Sequence, residues 1–203
     1  MKAYERLLNY VKVPTPSDER SGTHPSSACQ RVLAEQLVKE MKKLGVSDVR
    51  IDEKCYVYGK IPATKGYESK TKLGFIAHMD TVSDFADHAV NPVVHENYDG
   101  KDLKLSESGR TLETAVFPHL ASLAGKTLIT SDGTTVLGAD DKAGVAAIMQ
   151  AVEEIQKERW QKRFLPENFH MGRFPSPLHR MKRLEKVLTS SMFRDSMQNL
   201  LIP

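Results

Sequence analysis

The spacing of apolar residues changes along the chain, and this change constrains the fold more than any other feature. Residues 30–44 repeat apolar side chains at helical spacing, with a predicted inner face of Val32, Leu33, Leu37, Met41 and Leu44. Ser26 and Ser27 precede this helix as candidate N-caps, and Gly45 follows it as a stop signal. Beyond Gly45 the apolar residues form short runs rich in Val, Ile, Tyr and Phe, which is typical of strands.

The remaining segments continue this alternation of helix and strand. A first helix is predicted over residues 3–12, before Pro14 and Pro16, and a last helix over residues 142–157. A polar stretch covers residues 83 to 125. Five short runs between the helices predict strands: VRIDEK, YVYGKIPA, KLGFIAH, TLITS and TVLGA. Strands that alternate with helices indicate an α/β domain.

Charge is distributed unevenly between the two ends of the chain. Residues 159–203 hold nine Lys and Arg against three Asp and Glu, whereas residues 1–158 have a net charge of −3. The sequence has neither a signal-peptide pattern nor an apolar run of membrane-span length, so a cytoplasmic protein with no membrane partner is expected. Cys29 and Cys55 lack CxxC spacing, which argues against a thiolate zinc site or a disulfide framework.

Two polar clusters follow apolar runs, where the carboxyl ends of strands open onto a ligand crevice. His78 is a suitable zinc ligand, and Asp80 could orient its ring. Asp140 and Asp141 precede the last predicted helix, where the helix dipole favours acidic residues. Taken singly, His78 could be a structural histidine and the aspartates could be helix caps. Their shared position after strands favours a metal site.

The motifs LGFIAHMDTV and SDGTTVLGADDKAGVA, about 60 residues apart, resemble those of the dizinc exopeptidase clan. The opening LLNYVKVPTPSDERSGTHPSS and the segment FIAHMDTVSDF are similar to peptidase T in particular, and the resemblance covers residues 1–158. It implies the start of an α/β catalytic domain with a mixed sheet flanked by helices. It also implies two zinc ions and removal of the N-terminal residue from short peptides, above all tripeptides.

The resemblance further implies a role for each acidic or histidine residue of these motifs. His78 would bind one zinc ion, Asp140 would bridge both, Asp80 would be the catalytic carboxylate that orients His78, and Asp141 would support them. The family's Glu-Glu pair, later Asp and distal His do not occur here. We therefore expect negligible activity, at most partial zinc binding, and a homodimer only in full-length relatives. A deacylase or dipeptidase of the same clan, or a non-catalytic fragment, are the alternatives.

The basic tail, residues 159–203, departs from the family pattern. With synonymous codons, residues 179–202 read in a shifted frame give PDEEIGKGADLFNVPGFHAELAYT, which resembles the continuation of peptidase T with its Glu-Glu pair. We interpret the tail as a non-native, poorly ordered product of a frameshift between residues 155 and 168. An amphipathic helix over 178–201 or a nucleic-acid-binding arm near Trp160 are rival interpretations, and no nucleic-acid partner is expected.

Overall fold

The computed structural model describes residues 1–86 and 88–164, with side chains described up to residue 159. Within these residues the chain forms helices α1 (Ala3–Tyr10), α2 (Gln30–Lys43) and α3 (Ala139–Phe164), and a 3-10 helix at Pro118–Leu123. The strands are β1 (Ser47–Ile51), β2 (Val57–Lys60), β3 (Pro92–His95), β4 (Leu103–Lys104), β5 (Thr111–Leu112) and β6 (Leu128–Ser131).

The apolar core lies between the three α-helices. Its buried members are Leu7, Tyr10, Val11, Leu33, Leu37, Val145, Ala146 and Met149. Leu33 of α2 is fully buried, whereas its neighbour Val32 is 58% exposed. The predicted inner face is therefore correct at Leu33 and Leu37 and wrong at Val32. An α-helix turns by about 100° per residue, so these two neighbours point in different directions.

The start of α2 differs from the prediction. The helix begins at Gln30 with Cys29 at the N-cap position and no side-chain cap, so the assignment of Ser26 or Ser27 as N-cap is wrong. The hydroxyl of Ser26 instead accepts hydrogen bonds from the Asp18 amide at 3.1 Å and from Gln30 Nε2 at 3.2 Å. Ser26 thus connects the loop that precedes α2 with the first residue of the helix.

A buried charge network joins the three helices. Arg6 of α1 is 1% exposed and donates to Glu40 of α2 at 2.7 Å and to Glu153 of α3 at 2.5 Å. The Tyr10 hydroxyl donates to Glu40 at 2.5 Å. Partial burial alone would raise the pKa of Glu153, but hydrogen bonds from Lys157, the N-terminal amine and Arg6 lower it to about 2. Each helix therefore contributes at least one charged group to the same network.

Among the described residues the strands pair in three separate two-stranded antiparallel sheets: β1 with β2, β3 with β6, and β4 with β5. Helices and strands are mixed as the α/β class predicts. The predicted strands VRIDEK, YVYGKIPA and TLITS are confirmed as β1, β2 and β6. Strands β3, β4 and β5 lie in the stretch that was predicted only to be polar, since their short lengths leave little periodic signal.

The strands predicted at KLGFIAH and TVLGA are not formed. A single parallel bridge, between Pro16 and Thr81, lies just after the first of them. Residues 72–86, called the open segment below, instead expose five large apolar side chains, with Ile76 exposed to 96%, whereas Met79 packs against the core. The other four exposed side chains are Leu73, Phe75, Val82 and Phe85. The apolar pattern of a buried strand is present, but no strand of the described residues pairs with residues 72–78.

Helix α3 continues to Phe164, past the predicted domain boundary between residues 158 and 159. Residues 165–203 lie outside the described residues, so the interpretation of the basic tail stays a prediction. Among the residues that are described, no helix combines the length and the apolar content that crossing a membrane requires.

Candidate metal centre

A cleft of about 510 Å³ has its floor where two segments that are distant in the sequence lie side by side. The Thr81 amide donates to the Thr15 carbonyl at 2.9 Å, and the Ser17 amide donates to the Thr81 carbonyl at 2.9 Å. The Thr15 hydroxyl donates to the Met79 carbonyl at 2.6 Å. Thr15 and Thr81 are buried, so water does not compete for these bonds. The backbone that carries His78 and Asp80 is therefore held against the loop before α2.

A third segment, residues 138–142, closes the cleft at the start of α3. Gly138 has a φ of +70°, and a Cβ at this position would lie 2.9 Å from Thr81 Cγ2. Glycine therefore suits both the backbone conformation and the close approach. The Lys142 ammonium group, 1% exposed, donates to the Val13 carbonyl at 2.8 Å, and burial lowers its pKa to about 8. These contacts fix α3 against both other segments.

His78 and Asp140 face each other across this cleft. His78 Nε2 lies 3.1 Å from Asp140 Oδ1, although the residues are 62 positions apart. His78 Nδ1 lies 3.0 Å from the backbone carbonyl oxygen of Asp80 and 3.4 Å from its carboxylate Oδ1. A carbonyl oxygen only accepts hydrogen bonds, so Nδ1 carries a proton and Nε2 is the nitrogen directed at Asp140.

The electrostatics of the pair indicate a position for a cation. Burial lowers the pKa of His78, but the hydrogen bond to the Asp80 carbonyl and the charges of Asp80 and Asp140 outweigh it and raise the pKa above its usual value. When the ring is doubly protonated, the proton on Nε2 lies between the ring and the Asp140 carboxylate. Imidazole nitrogen and carboxylate oxygen are both zinc donors, at distances of about 2.0–2.2 Å. The pair thus fits zinc in donor type and direction.

The donor set is incomplete within the part of the chain that the structure describes. There, no group of three or more His, Cys, Asp or Glu side chains could hold a metal ion. Catalytic zinc sites generally take three protein ligands and a water molecule. Further carboxylates, of Glu19 and Asp84, line the cleft. His78 and Asp140 therefore form two corners of a metal site within an acidic cleft.

Asp140 and Asp141, adjacent in sequence, have different contacts. Both have non-helical backbone angles, so regular helical geometry begins at Lys142. Asp141 Oδ1 accepts a hydrogen bond from the Gly144 amide at 3.0 Å, the pattern of a helix N-cap. Burial raises the pKa of Asp141. The cap interpretation, which the sequence left open for both aspartates, applies to Asp141, whereas Asp140 faces His78.

Sequence reasoning missed three residues that build the cleft. Gly138 and Lys142 belong to the motif SDGTTVLGADDKAGVA, but their packing has no periodic signal. Ser17 belongs to the loop PTPSDER, and its hydroxyl donates to Asp80 Oδ2 at 2.7 Å. One sequence signal could have identified these residues as part of the site: they lie within the motifs that carry the family resemblance.

Comparison with known proteins shows that the chain is similar to peptidases. Over three quarters of its length or more, the chain resembles peptidase T, as its motifs predict. It is 48% identical over 181 residues to peptidase T of Bacillus licheniformis, covering 86% of this chain and 44% of the relative. For peptidase T of Caldanaerobacter subterraneus the identity is 51% over 153 residues, covering 75% and 37%. The chain thus spans less than half the length of these curated relatives.

Peptidase T of Bacillus subtilis is 47% identical over 154 residues, covering 75% of this chain and 37% of the relative. A solved tripeptidase from Staphylococcus aureus is 25% identical and superposes with a TM-score of 0.48, covering 78% of this chain and 32% of that structure. No family model matches the chain.

Proposed function

We propose that the chain is part of a zinc-dependent aminopeptidase that removes the N-terminal residue from tripeptides in the cytoplasm. The observation that supports this most is the 3.1 Å approach of His78 Nε2 to Asp140 Oδ1. These two residues come from the two motifs that carry the resemblance to peptidase T. The deacylase and dipeptidase alternatives share those motifs but not the names of the relatives reported above.

His78 and Asp140 would hold the metal in this proposal, and Asp140 would bridge to a second zinc ion. Bound zinc would polarise the scissile carbonyl and supply a nucleophilic water. Asp80 would keep His78 Nδ1 protonated, so that Nε2 stays directed into the cleft. Asp141 would hold the start of α3 in place through its bond to the Gly144 amide. The acidic lining of the cleft would attract cations to the pair.

The chain itself is proposed to bind one zinc ion weakly and not to hydrolyse peptides. With two protein ligands, the remaining coordination positions of a zinc ion would be filled by exchangeable water. The described residues offer no third donor close enough to His78 and Asp140 to bind the same ion. A non-catalytic metal-binding fragment is therefore the second candidate. The open segment favours it as well, because its exposed large apolar side chains are typical of a surface that another segment or protein covers.

Zinc titration by calorimetry, with a tripeptide hydrolysis assay on the same samples, tests these proposals. We expect one weak site in the natural chain, its loss in His78→Ala and in Asp140→Ala, and no turnover. His119→Ala, which removes an exposed histidine away from the cleft, serves as the matched control. Turnover that His78→Ala abolishes would contradict the inactivity proposal. Equal zinc binding by the natural chain and both site variants would contradict the metal centre.

A further inference from the structure

We propose that Ser17 is a positioning residue of the metal centre, which acts through Asp80 on His78. This inference rests on the proposed function. The Ser17 hydroxyl donates to Asp80 Oδ2 at 2.7 Å, while Asp80 Oδ1 lies 3.4 Å from His78 Nδ1. One carboxylate oxygen is thus held by serine and the other faces the imidazole ring.

The serine backbone is fixed independently of its hydroxyl. The Ser17 amide donates to the Thr81 carbonyl at 2.9 Å, and the preceding Pro16 forms a parallel bridge with Thr81. Gln30 Nε2 of α2 also donates to the Pro16 carbonyl at 3.4 Å. The hydroxyl therefore reaches Asp80 from a backbone that two other elements hold in place. Removal of the hydroxyl changes the hydrogen bond without removing these backbone bonds.

Asp80 needs such a restraint because its side chain is 48% exposed. A carboxylate with that exposure can exchange protein contacts for water at little cost in free energy. The bond from Ser17 restricts rotation of the carboxylate and keeps Oδ1 on the side of His78. Outer-shell partners that orient a metal-binding histidine typically contribute about 10- to 100-fold in metal affinity. Ser17 acts one bond further out, so we expect an effect at the lower end, about 10-fold.

The test compares Ser17→Ala with Ser17→Thr, which keeps the hydroxyl, and with Ser21→Ala as a matched control. Ser21 lies in the same loop, but its hydroxyl donates to the Asp18 carbonyl instead. The readouts are zinc affinity by calorimetry and the ¹⁵N chemical shifts of the His78 ring in metal-free protein. Ser17→Ala is expected to bind zinc about 10-fold more weakly and to shift the His78 signals. The other two variants are expected to match the natural chain.

Natural zinc affinity together with unchanged His78 ring signals in Ser17→Ala would overturn the proposal. If the natural chain binds no zinc, the proposed function fails, and the metal-free ring signals alone then decide the role of Ser17. If Ser21→Ala weakens zinc binding as much as Ser17→Ala does, the effect belongs to the loop in general. That result would also overturn the proposal for Ser17. If Ser17→Ala does not fold, Ser17→Cys, with similar volume and a weaker donor, replaces it in both measurements.

Discussion

The three helices and the open segment differ in how their apolar residues are used. In the helical body, defined as α1, α2 and α3 up to residue 159, apolar side chains pack together and Arg6 is buried. In the open segment, residues 72–86, five large apolar side chains are exposed to solvent and Met79 packs against the core. The candidate metal ligands lie where these two regions meet, with His78 in the open segment and Asp140 at the start of α3.

This difference shows that apolar pattern alone does not determine burial. The helices bury their apolar faces because these faces meet in one shared core. The open segment has the composition of a buried strand, yet it pairs with no strand in the part of the chain that the structure describes. Its position is set by hydrogen bonds around Thr15, Ser17 and Thr81 instead. Stability should therefore depend on the helical body, and metal binding on the junction.

Arg6→Ala should cause the largest loss of stability in the helical body. It removes the buried charge to which Glu40 and Glu153 are paired, and breaking such a network costs about 3–5 kcal/mol in unfolding free energy. Urea unfolding monitored by circular dichroism measures this loss. Arg20→Ala, at an exposed position, is the control and should change the free energy by less than about 0.5 kcal/mol. A natural chain without a cooperative transition would contradict the helical body as one unit.

Leu33→Ala and Val32→Ala form a pair of neighbouring truncations on α2. Leu33 is fully buried, so its truncation should cost about 3 kcal/mol of unfolding free energy. Val32 is exposed, and its truncation should cost less than about 0.5 kcal/mol. The same urea experiment measures both values. Similar losses for the two variants would mean that α2 packs with a different face.

Acid should destabilise the chain through Glu153. The folded pKa of about 2 lies below the value of about 4.3 for an unpaired Glu, so the stabilisation is complete above pH 4.5 and is lost as the pH falls toward 2. Unfolding free energies at pH 7, 4.5 and 3 measure this loss. Glu153→Gln should start less stable and lose less between pH 4.5 and 3. An equal loss in both proteins would exclude Glu153 as the cause.

Ile76→Ser should have the smallest effect on stability, within about 0.5 kcal/mol, because the side chain is already 96% exposed. The same substitution should reduce self-association at high concentration, since it interrupts the exposed apolar strip. Sedimentation velocity of the natural chain and the variant measures this change. Marked destabilisation by Ile76→Ser would show that the open segment is buried in solution.

The sequence predicted those parts of the fold that depend on local periodicity. The helices, β1, β2 and β6 follow from spacing and stop signals such as Gly45. The strands predicted at KLGFIAH and TVLGA failed because a strand requires a partner, and spacing within one segment cannot show whether a partner is present. Ser26 and Ser27 failed as caps because the chain makes an additional turn before Gln30.

The candidate site, like the fold, could be predicted from the sequence only in part. His78, Asp80, Asp140 and Asp141 were identified from their motifs, and their metal-binding and supporting roles remain proposals. The sequence could not show which of Asp140 and Asp141 caps α3, because two adjacent aspartates are equally good candidates for a helix N-cap. Nor could it show the contact of Ser17 with Asp80, two residues that lie 63 positions apart in the sequence.

Hydrogen exchange measured by mass spectrometry, with and without zinc, tests most directly whether a packed helical body supports a metal centre at its junction with the open segment. Without zinc, peptides from α1, α2 and α3 should exchange slowly and residues 72–79 rapidly. Zinc should slow exchange in residues 78–81 and 138–144 together, and His78→Ala should abolish this effect. Slow exchange in residues 72–79 without zinc, or zinc protection of only one of the two segments, would contradict this arrangement.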